Sequence, residues 1–161
     1  MTELIPSLSD EIVLRLILAV VLGALLGLER TLAGKTAGMR TYTLVTLGSA
    51  IFIIVSQLIT DHYFALGVRA FDPLRVASQL VVGIGFLGAG LIIFQDQKLR
   101  GLTTAAGLWV ACALGMAIGF GLYLLAIAAT ILTLFIFTIL LKVEQFLERK
   151  IRPQWDEAHK K

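Results

Sequence analysis

The longest apolar stretch of this chain runs from Leu102 to Leu141 and contains no charged side chain. A helix needs about 20 apolar residues to cross the roughly 30 Å hydrocarbon core of a bilayer. The stretch is therefore long enough for two consecutive crossings, with a turn predicted at Gly119-Phe120-Gly121. A helix that is apolar on every side lies in lipid or in the core of a large protein. This pattern predicts an integral membrane protein.

Five apolar segments of similar length divide the chain. None shows the alternating pattern of a transmembrane barrel, and backbone groups in lipid must be bonded within their own segment, which a helix achieves. The predicted spans are about 12–28, 41–59, 76–94, 102–118 and 122–141. We therefore predict an all-α integral membrane protein, in which residues 1–141 form a bundle of about five transmembrane helices.

Basic residues flank these spans unevenly and predict the orientation. Most lie in the first loop, the third loop and the tail, which five crossings place on one side of the membrane. The loop residues are Arg30, Lys35, Arg40, Lys98 and Arg100. Because cytoplasmic loops are enriched in Lys and Arg, we expect an external N-terminus and a cytoplasmic C-terminus. Residues 142–161 would form a short basic cytoplasmic tail, amphipathic because Val143, Phe146 and Leu147 share one helical face.

Composition agrees with a membrane protein and narrows the function classes. Hydrophobic residues make up 58% of the chain and charged residues 16%, with a mean hydropathy of +0.89. Soluble domains carry about 25% charged residues, so we expect no sizeable water-soluble module and no nucleic-acid partner. The single cysteine, Cys112, excludes a disulfide framework. The N-terminus lacks the basic start of a secretory signal, and we expect the first span to remain in the protein.

Small residues recur along three of the spans at helical spacing. Since apolar burial contributes little to association in lipid, transmembrane helices meet where small side chains let the backbones approach. We expect spans one, three and four to form the centre of the bundle and span five to lie at its periphery. The candidate packing positions are Gly23, Gly27, Gly83, Gly85, Gly88, Gly90, Gly107, Ala111 and Gly115.

The letters of residues 83–88, GIGFLG, also match a dinucleotide-binding fingerprint. That motif requires a preceding strand and a helix that opens at the glycines. Here the glycines lie inside a predicted span, so helix packing, or a locally thin helix that lines a polar path, is the better interpretation.

Polar residues cluster at the predicted cytoplasmic ends of the first four spans. They form a candidate binding rim: Glu29, Arg30, Lys35, Arg40, Asp96, Arg100, Thr103 and Thr104. With Lys98, the rim carries five positive and two negative charges. A net positive surface at this depth suits anionic lipid headgroups, phosphate or an acidic protein surface. The alternative interpretation is ordinary positive flanking of the spans, with local ion pairs.

Other polar residues lie within the spans or at their ends: Arg15, Gln57, Asp72, Arg75 and Gln79. Arg15 follows Glu11 at the favourable i,i+4 spacing, and it either extends to the headgroups or faces the bundle interior. Asp72 is a suitable N-cap for the third span. The glutamines are costly in lipid and are expected to find partners inside the bundle.

Four sequence blocks resemble the signature of the MgtC/SapB family of membrane proteins. They are GLER at 27–30, GKTAGMRT at 34–41, GIGFLGAG at 83–90 and RGLTTAA at 100–106, within a resemblance that covers about residues 10–140. The resemblance implies a bacterial inner-membrane protein of about five spans, linked to growth under low magnesium and to survival inside host cells. It also implies the F-type ATP synthase as a protein partner.

Two features depart from that family pattern. Tyr42 stands where many members carry histidine. The tail from Lys142 is too short for the soluble domain that the virulence-linked members carry. The implied membrane fold is therefore expected without the C-terminal domain.

These observations favour a non-enzymatic regulatory membrane protein. It would bind membrane lipids or another inner-membrane protein through the rim, in adaptation to low magnesium or acid stress. The alternative is a transporter or channel for Mg²⁺ or another small ion, although Mg²⁺ prefers carboxylate and other oxygen ligands and the predicted spans carry no Asp or Glu near their middle. The spans also lack a Ser–His or His–carboxylate set for catalysis. We expect no catalytic residue, metal site or cofactor, and homo-oligomerisation is left open.

Overall fold

The computed structural model describes residues 4–68, 72–95 and 98–158, and it is 84% helical. Its helices are α1 (Leu4–Leu32), α2 (Met39–Ala65), α3 (Leu74–Leu91), α4 (Leu102–Gly119), α5 (Tyr123–Phe135) and α6 (Leu141–Ala158). A π-helical turn, Ile136–Leu140, joins α5 to α6. Between α3 and α4, the strands β1 (Ile93–Gln95) and β2 (Lys98–Arg100) pair antiparallel.

Among the described residues, five helical segments are long and apolar enough to cross a membrane, which confirms the predicted fold class. They are Ser9–Leu32, Met39–Ala65, Leu74–Leu91, Leu102–Gly119 and Tyr123–Leu147. The third span ends at Leu91, before its predicted end at residue 94, because Ile93 and Phe94 belong to the β-hairpin. The orientation of the termini stays a prediction. We therefore call the two ends of the bundle the Arg15 end and the Arg30 end, after two residues of α1.

The α4 helix lies at the centre of the bundle. It packs against α1, α2, α3 and α5, and 56% of its residues are buried. The α2 helix packs closely against both α1 and α4. The α3 helix contacts mainly α4, and only 11% of its residues are buried. The expectation that the third span belongs to the centre is therefore wrong. The first, second and fourth spans form it, and the third lies at the periphery.

Close helix contacts follow the small residues of α4. A Cβ atom on Gly115 would lie 2.7 Å from the Cβ atom of Ser49 and nearer still to the Thr46 carbonyl oxygen. Ala111 is fully buried. On Gly107, a Cβ atom would collide with the Tyr42 hydroxyl. The α2 side of this contact is made of small and hydroxyl side chains, so the two backbones approach closely.

The α1 glycines make similar contacts with the start of α2. A Cβ atom on Gly23 would lie 2.9 Å from the Cα atom of Thr43, and one on Gly27 would lie 2.5 Å from the Cα atom of Met39. These distances are shorter than any tolerated carbon contact, so glycine sets how closely α1 and α2 pack.

The glycines of α3 behave differently. Gly88 makes only ordinary contact with Ala105, at 3.6 Å for an added Cβ atom. Gly83, Gly85 and Gly90 face no heavy atom within 4 Å. In the described part of the chain, these three positions therefore do not make the helix contact that their spacing predicts. The physical reason is that α3 has a close neighbour on only one side.

We expect Gly115→Ala to lower the free energy of unfolding by about 1–3 kcal/mol, the usual cost of overpacking. The added methyl group must displace the backbone of α2 at Thr46. The matched control is Gly85→Ala on the open face of α3, where a small gain is expected because alanine is the better helix former. Thermal unfolding of both variants in detergent checks this, and equal destabilisation of the two would contradict it.

Candidate functional site

A cavity of about 410 Å³ opens at the Arg30 end, between the first loop and the start of α4. We call it the rim cavity. Four of the residues predicted for the binding rim meet there, namely Lys35, Arg100, Thr103 and Thr104. Its described lining contains two cations and no carboxylate. The full lining is Gly34, Lys35, Thr36, Leu99, Arg100, Gly101, Leu102, Thr103 and Thr104.

The end of α1 positions Lys35. The amide N–H of Gly34 donates to the Thr31 carbonyl, and that of Lys35 donates to the Arg30 carbonyl, each at 3.0 Å. This is the Schellman arrangement, which places a left-handed residue after the helix, and Gly34 has a φ of +64°. The Thr31 hydroxyl oxygen accepts the Met39 N–H at 2.9 Å. The loop is thus fixed at both ends, and Lys35 is held beside the cavity.

The start of α4 supplies backbone donors. Gly101 is the N-cap residue, has a φ of +91°, and provides no side chain to bond the first amide groups. A Cβ atom at Gly101 would collide with the Leu91 carbonyl, so glycine is required where α4 begins next to α3. The first amide groups of a helix have no intrahelical acceptor and form the positive end of its dipole. That end lies at the rim cavity.

Tyr42 fixes this first turn of α4. Its buried hydroxyl donates to the Thr104 carbonyl at 3.2 Å and joins α2 to α4. In the sequence, Tyr42 stands out only as a departure from a family pattern, and this supporting role was not predicted. The available signal was that the hydroxyl of a buried tyrosine usually finds a hydrogen-bond partner.

Arg30 lies in the packed interior with Glu29 partly buried beside it, and neither residue lines the rim cavity. Arg30 is 1% exposed, and its guanidinium pairs with the Glu29 carboxylate. The guanidinium also lies 3.6 Å from the centroid of the Phe137 ring and 3.5 Å from the Phe137 carbonyl oxygen. Phe137 belongs to the π-helical turn. The pair therefore ties α1 to the junction of α5 and α6.

The structure gives a position for only one of the other two predicted rim residues. Arg40 is exposed in the first turn of α2 and is absent from the lining. Asp96 lies outside the described residues.

Arg15 is directed at neighbouring helices of the bundle. It donates to the Gly119 carbonyl at 2.6 Å, to Gln57 Oε1 at 3.0 Å and to the Tyr123 hydroxyl at 3.2 Å. It also pairs with the Glu11 carboxylate at 2.5 Å. A cation suits the carboxyl end of a helix, and Gly119 is the last residue of α4. Arg15 thus joins α1 to α2 and to the α4–α5 turn, and it gives Gln57 the partner expected for it.

The polar residues of α3 differ from expectation in two ways. Asp72 Oδ1 accepts the Leu74 N–H at 2.9 Å, but Pro73 is the N-cap residue. Gln79 is exposed and lines a groove between α2 and α3 together with Arg75. The expectation that Gln79 has a partner inside the bundle is therefore wrong for the described residues, because α3 is peripheral and Gln79 borders the open groove.

We expect Arg15→Gln to lower the free energy of unfolding by about 1.5–3 kcal/mol, the value of hydrogen bonds to a charged group. The Gly119 carbonyl and Gln57 would lose a shared donor. Tyr123→Phe, which removes a single hydroxyl from the same network, should cost less. Thermal unfolding in detergent measures both, and an Arg15→Gln protein as stable as the wild type would contradict this role.

Comparison with known proteins places the chain among bacterial membrane proteins. The MgtC family model matches residues 16–146. The chain is 44% identical over 129 residues to "Putative magnesium transporter YhiD" of Escherichia coli K12, which covers 80% of this chain and 60% of that protein. It is 44% identical over 129 residues to protein SrpB of Synechococcus elongatus, covering 74% of this chain and 69% of SrpB.

Protein MgtC of Brucella abortus is 42% identical over 130 residues, covering 81% of this chain and 51% of that protein. The chain thus spans about half to two thirds of the length of these relatives. No solved structure matches it significantly. Because the family model matches most of the chain, and the predicted blocks lie within the matched residues, the protein belongs to the MgtC family.

Proposed function

We propose that this chain is a regulatory membrane protein that acts by binding and not by catalysis. In this proposal, the rim cavity holds an anionic group that belongs to a lipid or to a protein partner in the membrane. The observation that carries the proposal is the convergence of Lys35, Arg100 and the uncapped start of α4 around one 410 Å³ space.

The chemistry of these donors suits a phosphate or a carboxylate. Backbone N–H groups at a helix start point at a bound anion, and the helix dipole adds a favourable field. A guanidinium can bind two anionic oxygens at once, whereas an ammonium acts as a compact charge. Thr103 is exposed at the same turn and carries a further hydroxyl donor. Helix ends lie at the depth of lipid headgroups, where basic residues attract anionic lipids.

Family membership gives this binding a physiological setting. We extend the proposal to what the family resemblance of the sequence implies, namely adaptation to low magnesium in the bacterial inner membrane, with the F-type ATP synthase as a protein partner. Because the chain covers only about half of the relatives named MgtC, their complete activities are carried over here as part of the proposal. An acidic segment of a partner could enter the rim cavity in place of a lipid phosphate.

Ion transport is the second candidate, favoured by the name of the Escherichia coli relative. Two observations weigh against ion transport. The Gln57 side-chain oxygen already accepts a hydrogen bond from Arg15, so it is occupied and does not offer itself as a ligand to a passing cation. Gln79, the other glutamine considered for a polar path, lies on the peripheral α2–α3 groove.

The proposal predicts that Lys35→Gln and Arg100→Gln each weaken anion binding about tenfold or more, since a charge-assisted hydrogen bond is lost. Arg40→Gln is the matched control, because it removes the same charge from an exposed residue outside the cavity lining. Titration of purified protein with dioctanoyl phosphatidic acid, compared with dioctanoyl phosphatidylcholine, measures the affinity. Equal effects of all three substitutions would contradict a defined site.

The same variants separate the functions in cells. Bacteria lacking their own family member should regain growth at low magnesium with the wild type and with Arg40→Gln, and should fail to regain it with Arg100→Gln at equal protein levels. Mg²⁺ flux into liposomes containing this protein alone would instead support transport.

A further inference from the structure

A second site lies on the lipid-facing side of the bundle, apart from the rim cavity. It is a groove of about 860 Å³ between α2 and α3, with Cys112 of α4 in its lining. Its volume is within the range of sites that hold small organic molecules, about 300–1,000 Å³. The residues used below include Gly48, Phe52, Arg75, Gln79, Gly83 and Leu87.

The groove is long enough to hold a lipid acyl chain, and it extends from Arg75 to Thr41 in the first turn of α2. It follows α3 from Arg75 to Leu87, and twelve residues of helix span about 18 Å at 1.5 Å per residue. Half of the roughly 30 Å hydrocarbon core is about 15 Å. A lipid acyl chain of one leaflet could therefore lie along the groove for most of its length.

Two glycines keep the groove open, because they carry no side chain. Added Cβ atoms on Gly48 and Gly83 would meet no heavy atom within 4 Å. Both glycines lie within helices and have no left-handed φ. Neither is needed for a turn or for close helix packing, although glycine is unfavourable inside a helix. Their shared property is that each leaves space in the groove.

The Arg15 end of the groove is cationic. Arg75 is exposed there, and no carboxylate in the described part of the chain pairs with its guanidinium. The nearby Asp72 carboxylate accepts the Leu74 N–H instead. Gln79 lies one helical turn deeper and carries an amide donor. A lipid presents a phosphate at the headgroup and ester carbonyls a few ångströms below it, in the same order as these two donors.

From this match of length, space and charge, we propose that the α2–α3 groove binds one phospholipid. Its acyl chain lies past Gly48 and Gly83, and its phosphate is bound by Arg75. This site is independent of the proposed function, because it lies on another face of the molecule and involves none of the rim cavity residues.

The first test uses the unaltered protein in vesicles of phosphatidylglycerol that contain a trace of a lipid with a photoactivatable group in its acyl chain. Peptide mapping should find labels concentrated on α2 and α3 residues of the groove, such as Phe52 and Leu87. Equal labelling of the lipid-facing residues Leu124 and Ile131 of α5, which are 82% and 62% exposed, would overturn the proposal.

The second test fills the groove. Every protein in this test, including the reference, also carries Arg100→Gln, so that lipid bound at the rim cavity does not contribute to the retained lipid. We expect Gly83→Leu to reduce the phosphatidylglycerol retained by the detergent-purified protein in native mass spectrometry by about tenfold. Gly85→Leu is the matched control, because that glycine lies on the same helix, also has no neighbour within 4 Å, and does not line the groove. Gly48→Leu repeats the test from α2 and replaces Gly83→Leu if that variant does not fold.

The charge is tested separately by Arg75→Gln, which should reduce retention of phosphatidylglycerol about tenfold while leaving the helical content unchanged. Retention unaffected by Gly83→Leu, Gly48→Leu and Arg75→Gln would overturn the proposal. A wild-type dimer that Gly83→Leu dissociates, with no lipid retained, would also overturn it, because the groove would then hold a second copy of the chain.

Discussion

Where α2 crosses α4, the backbones approach so closely that one methyl group on Gly115 would collide with the Thr46 carbonyl. Lipid gives helices little reason to hide apolar surface, so contacts of this kind hold a bundle together. At Gly107 the same approach leaves room for the Tyr42 hydroxyl, which then reaches the Thr104 carbonyl. The position of the backbone donors at the rim cavity therefore depends on glycine at position 107 of α4, because any side chain there would displace the Tyr42 hydroxyl.

Two arginines of α1, at opposite ends of the bundle, lie against backbone carbonyls of other helices. Arg15 bonds the Gly119 carbonyl at the end of α4, and Arg30 approaches the Phe137 carbonyl in the π-helical turn. Carbonyls at helix ends and irregular turns lack regular intrahelical donors, and in lipid they need others. Both cations are thus occupied by structural acceptors of the same chain. Lys35, by contrast, lies exposed at the rim cavity.

The sequence was sufficient to predict the five membrane crossings, because the length of an apolar run is set by bilayer thickness. It also indicated that Lys35, Arg100 and the two threonines of α4 belong near one another, because hairpin loops at the same membrane face converge. The direction of the Arg15 side chain was not predictable, since it depends on acceptors from α2, α4 and α5 that are far away in the chain. The hairpin strands were missed because Ile93 and Phe94 are as apolar as the span before them.

The glycines of α3 show most clearly that glycine spacing alone does not determine which helices are in contact. A glycine permits close approach, but contact also requires a second helix with small residues at the matching depth. A Cβ atom on Gly115 would meet Thr46 and Ser49 of α2, whereas one on Gly83 would meet no heavy atom within 4 Å in the described chain. The hairpin and the contact between Gly88 and Ala105 hold α3 to α4 near the Arg30 end. Toward Arg75, the side of α3 that faces α2 borders the groove. A molecule that fills this groove would therefore supply the contact that the chain itself does not provide for α3.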